Sequence, residues 1–330
     1  TYVETYVSII GNTVTYVKKP NGKYQASLDI LMTFTNNDSI QSAMRYVLNS
    51  PEIEDSSKTE NFLDLQRFPL PPGFYYLSAS FTDLNRKPLK TLQNRKSVSI
   101  DIDKDSISLS HIELLETYYA SKSQTTLTKS NYELVPYVSS FYPPNLSQLG
   151  FYGEIYNTSK NFQPEEKFLV LYYIESAVTG SKMSGFSSFI KLKPEPVNPL
   201  LFSFNIATLP SGSYYLVFEV RNASNKLMAM RKATFERFNP GIAYRLDDIT
   251  ALDITNSFVS RVTDPDSLVQ MIECLRPISS MNEIDFAENR MKAGDVKLMQ
   301  QYIYNFWLSR NEPNPEGAWL QYNTQVQKVN

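Results

Sequence analysis

Sulfur and imidazole are almost missing from this sequence. Its 330 residues include one cysteine, Cys274, and one histidine, His111. No disulfide can form within the chain. Zinc sites built from several His and Cys ligands are excluded. A Ser-His-Asp or Cys-His scheme would have one candidate base. Neither charge sign is in excess. Thirty-two Lys and Arg face 34 Asp and Glu, a net charge of −2 with pI near 5.7. The chain as a whole has no electrostatic case for binding nucleic acid. Long apolar runs are also missing. The longest, Phe168–Ile174, is the length of a strand, far below the roughly 20 residues of a membrane-spanning helix. No Gly-rich phosphate loop, HExxH, GxSxG or CxxC is present, so no cofactor is implied.

What is abundant is aromatic. Tyr, Phe and Trp make up 13% of the chain, and they sit in alternating patterns. Val14 and Tyr16, then Tyr24, Ala26, Leu28, Ile30 and Met32, recur at every second position, with Pro20-Asn21-Gly22 between them as a turn. Tyr75–Thr82 reads as a strand entered from Pro71-Pro72-Gly73, and Val98, Ile100 and Ile102 alternate again. Residues 49–67 are polar and read as a long surface loop or a helical excursion. The octapeptide Leu70-Pro71-Pro72-Gly73-Phe74-Tyr75-Tyr76-Leu77 returns as Leu209-Pro210-Ser211-Gly212-Ser213-Tyr214-Tyr215-Leu216. Lys87 and Lys226 keep the same offset. Tyr6-Val7-Ser8 rhymes with Tyr137-Val138-Ser139 at a slightly shorter one. A Pro-Gly entry fixes the face that a strand presents, so the repeat predicts the same domain twice.

From about residue 262 the period becomes helical. Asp264 caps a helix with Pro265 at its first position, and Leu268, Met271, Ile272 and Leu275 form its apolar face. Pro277 ends it. Ser280 and Glu283 have capping-box spacing for a second helix, broken at Gly294. Asp295 caps a third with Leu298, Met299, Tyr302, Ile303, Phe306 and Trp307 on one face. A fourth carries Trp319, Tyr322, Val326 and Val329. The expected architecture is mainly β with a C-terminal α unit: two tandem immunoglobulin-like β-sandwiches followed by a small helical domain. The expected partition is residues 1–105, a connecting strand or linker at 106–127, a second sandwich at 128–240 and helices at 241–330. The chain opens inside a strand pattern and closes inside a helical one, which suggests a piece of a longer protein at both ends.

Candidate chemistry is thin. Asp101, Asp103 and Asp105 have the D-x-D-x-D spacing of a calcium loop, but Ser106 and Ile112 stand where it needs Gly and Glu. The acids read instead as the solvent side of a strand. Ser110 and His111 are adjacent, so on a strand they face opposite ways and cannot pair; His111 reads as a linker residue. Glu165 and Glu166 follow Pro164 and read as a turn. The clusters Tyr118-Tyr119, Phe141-Tyr142, Phe151-Tyr152 with Tyr156, and Tyr172-Tyr173 could stack on sugars, although alternate aromatics in a β protein are ordinarily core.

The stretch Tyr302–Trp319, with its continuation through Tyr322 and Val326 to Asn330, resembles the segment upstream of the motif that names the GWxTD domain-containing proteins of Bacteroidota. Phe306, Trp307, Arg310, Pro313, Pro315, Tyr322 and Asn330 match that plan. Thr1–Val7, Leu63–Phe68 and Phe151–Asn157 are similar to the family's earlier segments. The G-W-x-T-D motif itself is absent from this chain. The resemblance implies an exported protein of the periplasm or outer membrane, often lipid-anchored, with no established enzymatic activity. Asp38-Ser39-Ile40, Asp105-Ser106-Ile107 and Asp266-Ser267-Leu268 resemble the phylum's O-glycosylation acceptor pattern. The reading that follows is a non-catalytic interaction or scaffold protein of the bacterial cell envelope. Its partners would be outer-membrane or periplasmic proteins, and its docking centre Trp307, Arg310, Trp319 and Tyr322. Those aromatics also fit the plain core of the helical unit. The alternative is a glycan-binding module with coplanar exposed Tyr rings. A third reading is an enzyme completed by a following segment.

Overall fold

The computed structural model describes the chain except residues 1, 179, 241, 243–251, 280–282, 285, 291–294, 312 and 330. The chain divides into two compact units, 1–108 with 119–138, and 109–118 with 139–330.

The first unit holds strands β1 (Tyr2–Ile9), β2 (Val17–Lys18), β3 (Tyr24–Gln25), β4 (Ser27–Asn36), β5 (Ser39–Asn49), β6 (Phe62–Pro69), β7 (Gly73–Asp83) and β8 (Thr91–Ile100). The period-2 pattern of β4 turns Leu28, Ile30, Met32 and Phe34 to the core, all fully or almost fully buried. β5, β4, β7 and β8 form one antiparallel sheet in that order, β1 with β6 forms the facing one, and β2 with β3 forms a short pair apart from both. The two facing sheets share one core, in which Phe34 meets Phe68 at 4.9 Å between ring centres.

Two expectations fail here. Residues 62–67 are not loop but the start of β6. The inward alternation of Phe62 and Phe68 is interrupted at Asp64, which is buried and accepts hydrogen bonds from the Tyr46 hydroxyl and from Gln66 Nε2. That polar residue hides the strand in the sequence. Val14 and Tyr16 are not in a strand. The Thr15 N–H donates to Asp83 Oδ2 (2.8 Å) and its carbonyl accepts from Asn85 Nδ2 (3.0 Å), so side chains take up the backbone groups a ladder would use.

Next come β9 (Ser108–Leu109), β10 (Glu113–Ala120), β11 (Thr128–Lys129) and β12 (Tyr132–Pro136). The hairpin of β11 and β12 belongs to the first unit. It is held there by a charged knot. Glu4 pairs with Lys129 and with Arg67 Nε (2.9 Å), and accepts from the Tyr6 hydroxyl (2.6 Å). Arg67 also donates to the Thr126 carbonyl at 2.7 Å.

The second unit continues with β13 (Phe141–Tyr142), β14 (Gln148–Tyr156), a single turn α1 (Thr158–Asn161), β15 (Phe168–Ser176), β16 (Lys182–Leu192), β17 (Val197–Asn205), β18 (Gly212–Arg221) and β19 (Leu227–Arg237). β14 pairs with β17, and β16-β15-β18-β19 lie in that order. This is the plan of β1–β6 and of β5-β4-β7-β8 repeated. It adds β10 beside β14 and the parallel β13 beside β19. The fold is therefore two immunoglobulin-like sandwiches in tandem with helices behind them. The octapeptide repeat is the same piece of structure twice. Tyr75 donates to the Pro71 carbonyl at 2.9 Å, and Tyr214 to the Pro210 carbonyl at 3.0 Å. Tyr75→Phe and Tyr214→Phe are each expected to cost about 1 kcal/mol, the net worth of one buried hydrogen bond, in paired urea unfolding curves. The second rhyme does not hold. Tyr137-Val138-Ser139 lies between β12 and β13, and the counterpart of β1 is β14.

Among the described residues the C-terminal part holds the α-helices α2 (Pro265–Leu275), α3 (Val296–Leu308) and α4 (Pro315–Val329), with a π-helical turn at Phe286–Arg290 where the second helix was expected. Both expected caps form: Asp264 accepts from the Ser267 N–H and Asp295 from the Leu298 N–H. Ser280 and Gly294 lie outside the described residues. Leu268, Leu275, Met299, Ile303 and Phe306 anchor a helical core of their own.

Candidate functional site

The aromatic face of α3 brings the expected docking residues together. Trp307 lies 6.0 Å from Trp319 and 5.4 Å from Tyr322, ring centre to ring centre. Pro315 starts α4, and the i, i+3 spacing of Trp319 and Tyr322 puts both on the side of α4 that meets Trp307. Trp307 is 5% exposed and Trp319 9%, so both rings belong to the core. Tyr322 is half-buried and donates to the Cys274 carbonyl at 2.7 Å. The Trp307 indole N–H is buried with no acceptor among the described residues.

Arg310 lies at the rim. Its guanidinium stacks 3.5 Å over Phe306 and grips Glu283 through two bonds of 2.8 and 2.9 Å. It also donates to the Phe306 carbonyl at 3.1 Å and the Ile278 carbonyl at 3.3 Å. One side chain thus ties the end of α3 to the segment after α2.

Most of the other candidates are built into the fold; of the aromatic clusters, Tyr119 and Phe141 are exposed. Asp103 Oδ1 accepts from the N–H groups of Asp105 and Ser106, closing a turn and leaving the calcium pattern unmade. Among the described residues no group of three or more His, Cys, Asp or Glu is placed to hold a metal. His111 sits in the irregular stretch between β9 and β10, and the Ser110 hydroxyl turns to the His111 carbonyl and the Glu154 N–H. Phe151, Tyr152, Tyr142 and Tyr173 are buried, so these rings are core. The exposed Phe74–Tyr76 pair meets edge to face at 89°, not as a coplanar platform.

One buried cluster of titratable groups is also matched internally. Tyr173 donates to Glu219 at 2.6 Å, Arg221 pairs with Glu219 at 2.7 Å, and Lys182 lies 3.8 Å over the Tyr173 ring. Burial pushes the Tyr173 hydroxyl well above the ordinary phenol range, and its bond to Glu219 pushes it further. Burial pushes Glu219 up, but the bonds from Tyr173 and Arg221 outweigh this and leave its carboxyl below the usual range. Such a cluster keeps its charges and protons where they are.

One surface stands outside every motif of the sequence. Between Asp83 and Asp101 no acidic residue occurs, while Arg86, Lys87, Lys90, Arg95 and Lys96 do. All five are exposed, and none forms an ion pair among the described residues. They run along the turn before β8 and along β8 itself, the last strand of its sheet. Leu84, Leu89 and Leu92 are exposed among them. Beside β8 a shallow trough of about 370 Å³ crosses the sheet, lined by Leu31, Thr33, Ser78, Ser80, Gln93 and Arg95. Arg95 stacks 4.4 Å over Tyr76 at this face. The signal available in the sequence was a run of one charge sign inside a neutral whole.

No protein-family model and no curated protein matches the chain. Similar solved structures include the CARDB domain of a Pyrococcus furiosus protein in complex with di-metal ions, with 13% identity and TM-score 0.25, covering 42% of this chain and 98% of that one. Fibronectin(III)-like modules of Clostridium thermocellum CbhA match with 9% identity and TM-score 0.18, covering 72% and 85%. Bacteroides uniformis β-glucuronidase 2, covalently bound to an aziridine, matches with 10% identity and TM-score 0.23, covering 71% and 26%. The fold class stands on strand order and pairing, not on these scores.

Proposed function

We propose that the chain is a non-catalytic interaction protein of the bacterial cell envelope, an accessory subunit of an outer-membrane-associated complex. The observation that carries this is how its polar side chains are used. The buried carboxylates, tyrosines and arginines described above close bonds within the two sandwiches and the helical core. What the sandwiches turn outward is strand edges and faces, the parts that recognise other chains. The resemblance to GWxTD domain-containing proteins supports the envelope, and it allows an anchor in a segment outside this chain. No helix among the described residues is long and apolar enough to cross a membrane.

The test is retrieval of the tagged full-length protein from gently solubilised envelopes, with mass spectrometry of what accompanies it. Stoichiometric outer-membrane or periplasmic proteins support the reading, and a lone monomer overturns it. Within it, the docking centre is the group Trp307, Arg310, Trp319 and Tyr322, with Arg310 and the half-buried Tyr322 as the accessible rim and the two core Trp rings as its support. Arg310→Ala is expected to reduce partner retention several-fold with the helical circular dichroism unchanged. Loss of that signal would make Arg310 a structural tie alone.

The trough beside Tyr76 gives a second reading some footing, a glycan-binding module in surface polysaccharide handling. Binding on glycan arrays that is lost in Tyr76→Ala would promote it; silence would remove it.

A further inference from the structure

We infer that the outer edge of β8 is a docking edge for an acidic polypeptide segment that adds to the sheet as an extended strand. This rests on the interaction reading above and names its surface and its partner's chemistry.

The first ground is the edge itself. β8 has β7 on one side and no strand on the other among the described residues. Thr91–Ser97 are all exposed. An edge strand carries a row of outward N–H and C=O groups, a template for another strand. The second ground is inside the same chain. β19 holds in the second sandwich the place β8 holds in the first, and its outer edge takes β13 as a parallel neighbour, Phe141 opposite Glu236 and Tyr142 opposite Arg237. This topology therefore accepts a strand on that side.

The third ground is charge. Lysines on an edge ordinarily keep strands of other molecules away. Here every charge from Leu84 to Ile100 is positive. Such an edge repels a second copy of itself and attracts an acidic segment. Leu89, 63% exposed, and Leu92, 61% exposed, offer contact for apolar residues alternating with the acids. An anionic glycan or lipid surface could meet the charges but could not extend the backbone ladder.

The test uses the full chain and synthetic ten-residue peptides in which Glu alternates with Val. The expected result is binding that weakens with added salt and slows amide hydrogen exchange at residues 91–99 at least tenfold. The same peptide N-methylated at alternate residues, and its Lys-Val counterpart, should fail to bind. The double variant R95E/K96E should weaken binding at least tenfold; both sites are exposed, so unchanged circular dichroism verifies its fold. The inference is overturned by any of four results: no binding of the Glu-Val peptide, equal binding to R95E/K96E, equal binding of the N-methylated peptide, or protection that appears elsewhere. Phosphatidylglycerol vesicles or oligogalacturonate binding through Arg95 and Lys96 while the peptide does not would overturn it in favour of those partners. Envelope retrieval separates the two proposals. Partners retained equally by wild type and R95E/K96E remove the β8 edge and leave the interaction role standing. No partner on wild type removes the role.

Discussion

Phe151→Ala is expected to destabilise the second sandwich by about 3–5 kcal/mol, the cost of emptying a large aromatic site in a packed core. Phe151 is 0% exposed and sits at the centre of an aromatic cluster. Its ring lies 5.9 Å from Tyr172, 6.2 Å from Phe202, and 5.6 Å from both Phe204 and Phe218. These partners come from β15, β17 and β18, so one side chain on β14 links both sheets. The site has little freedom to collapse. A Cβ at Gly153, two residues along β14, would already meet the Phe218 ring at 3.1 Å. The measurement is the denaturant midpoint, with Phe189→Ala as its control. Phe189 is 64% exposed and its loss should change stability by less than about 0.5 kcal/mol. Equal midpoints for the two variants would contradict this account of the core.

Glu4→Ala should cost roughly 3 kcal/mol, at the low end for removing one member of a buried ion pair. Only 12% of the Glu4 side chain and 13% of the Lys129 side chain is exposed, so the variant takes the carboxylate from a largely buried ammonium that keeps only weaker neutral contacts such as the Tyr6 hydroxyl at 3.0 Å. The damage should be greatest in the β11–β12 hairpin, which Lys129 and the Arg67–Thr126 bond fasten to the sandwich. Hydrogen exchange at 121–136 reads it directly. Burial alone would push the Glu4 carboxyl up. The Lys129 charge and bonds from Lys129, Tyr6 and Arg67 together bring it below the ordinary glutamate value. A carboxylate depressed in the folded state contributes stability that is fully present above its unfolded pKa. That contribution is lost as pH falls through the folded one. Hairpin protection should therefore hold at neutral pH and fade below the ordinary glutamate range. In Glu4→Ala this acid-dependent step should be missing.

Much of the architecture was legible because periodicity carried it. Leu28, Ile30 and Met32 announce β4, and the octapeptide at 70–77 and 209–216 announces the repeated domain, though not the tyrosine bond that both copies make. Asp264 and Asp295 announce their helices. β6 was hidden because one inward position, Asp64, is polar and satisfied by Tyr46, a partner on another strand. The false strand at Val14 and Tyr16 had the right alternation, but Asp83 and Asn85 claim its backbone. The Trp307 cluster was legible as a helical face. Which side of that face meets other side chains depends on where α4 returns, and local sequence does not encode that. The basic run on β8 was readable from charge alone, yet a net charge near zero concealed it.

The chain's route between its units limits how evolution can cut it. It enters the second unit at Leu109, returns to the first at Tyr119 and leaves again at Ser139. A recombination breakpoint after residue 108 would carry away the hairpin that Glu4 holds, leaving Glu4 and Arg67 without Lys129 and the Thr126 carbonyl. A breakpoint at 138 would leave β10 with the donor and take it from β14. The two sandwiches repeat one strand plan, but the chain passes between the units three times, so no single cut separates one intact unit from the other.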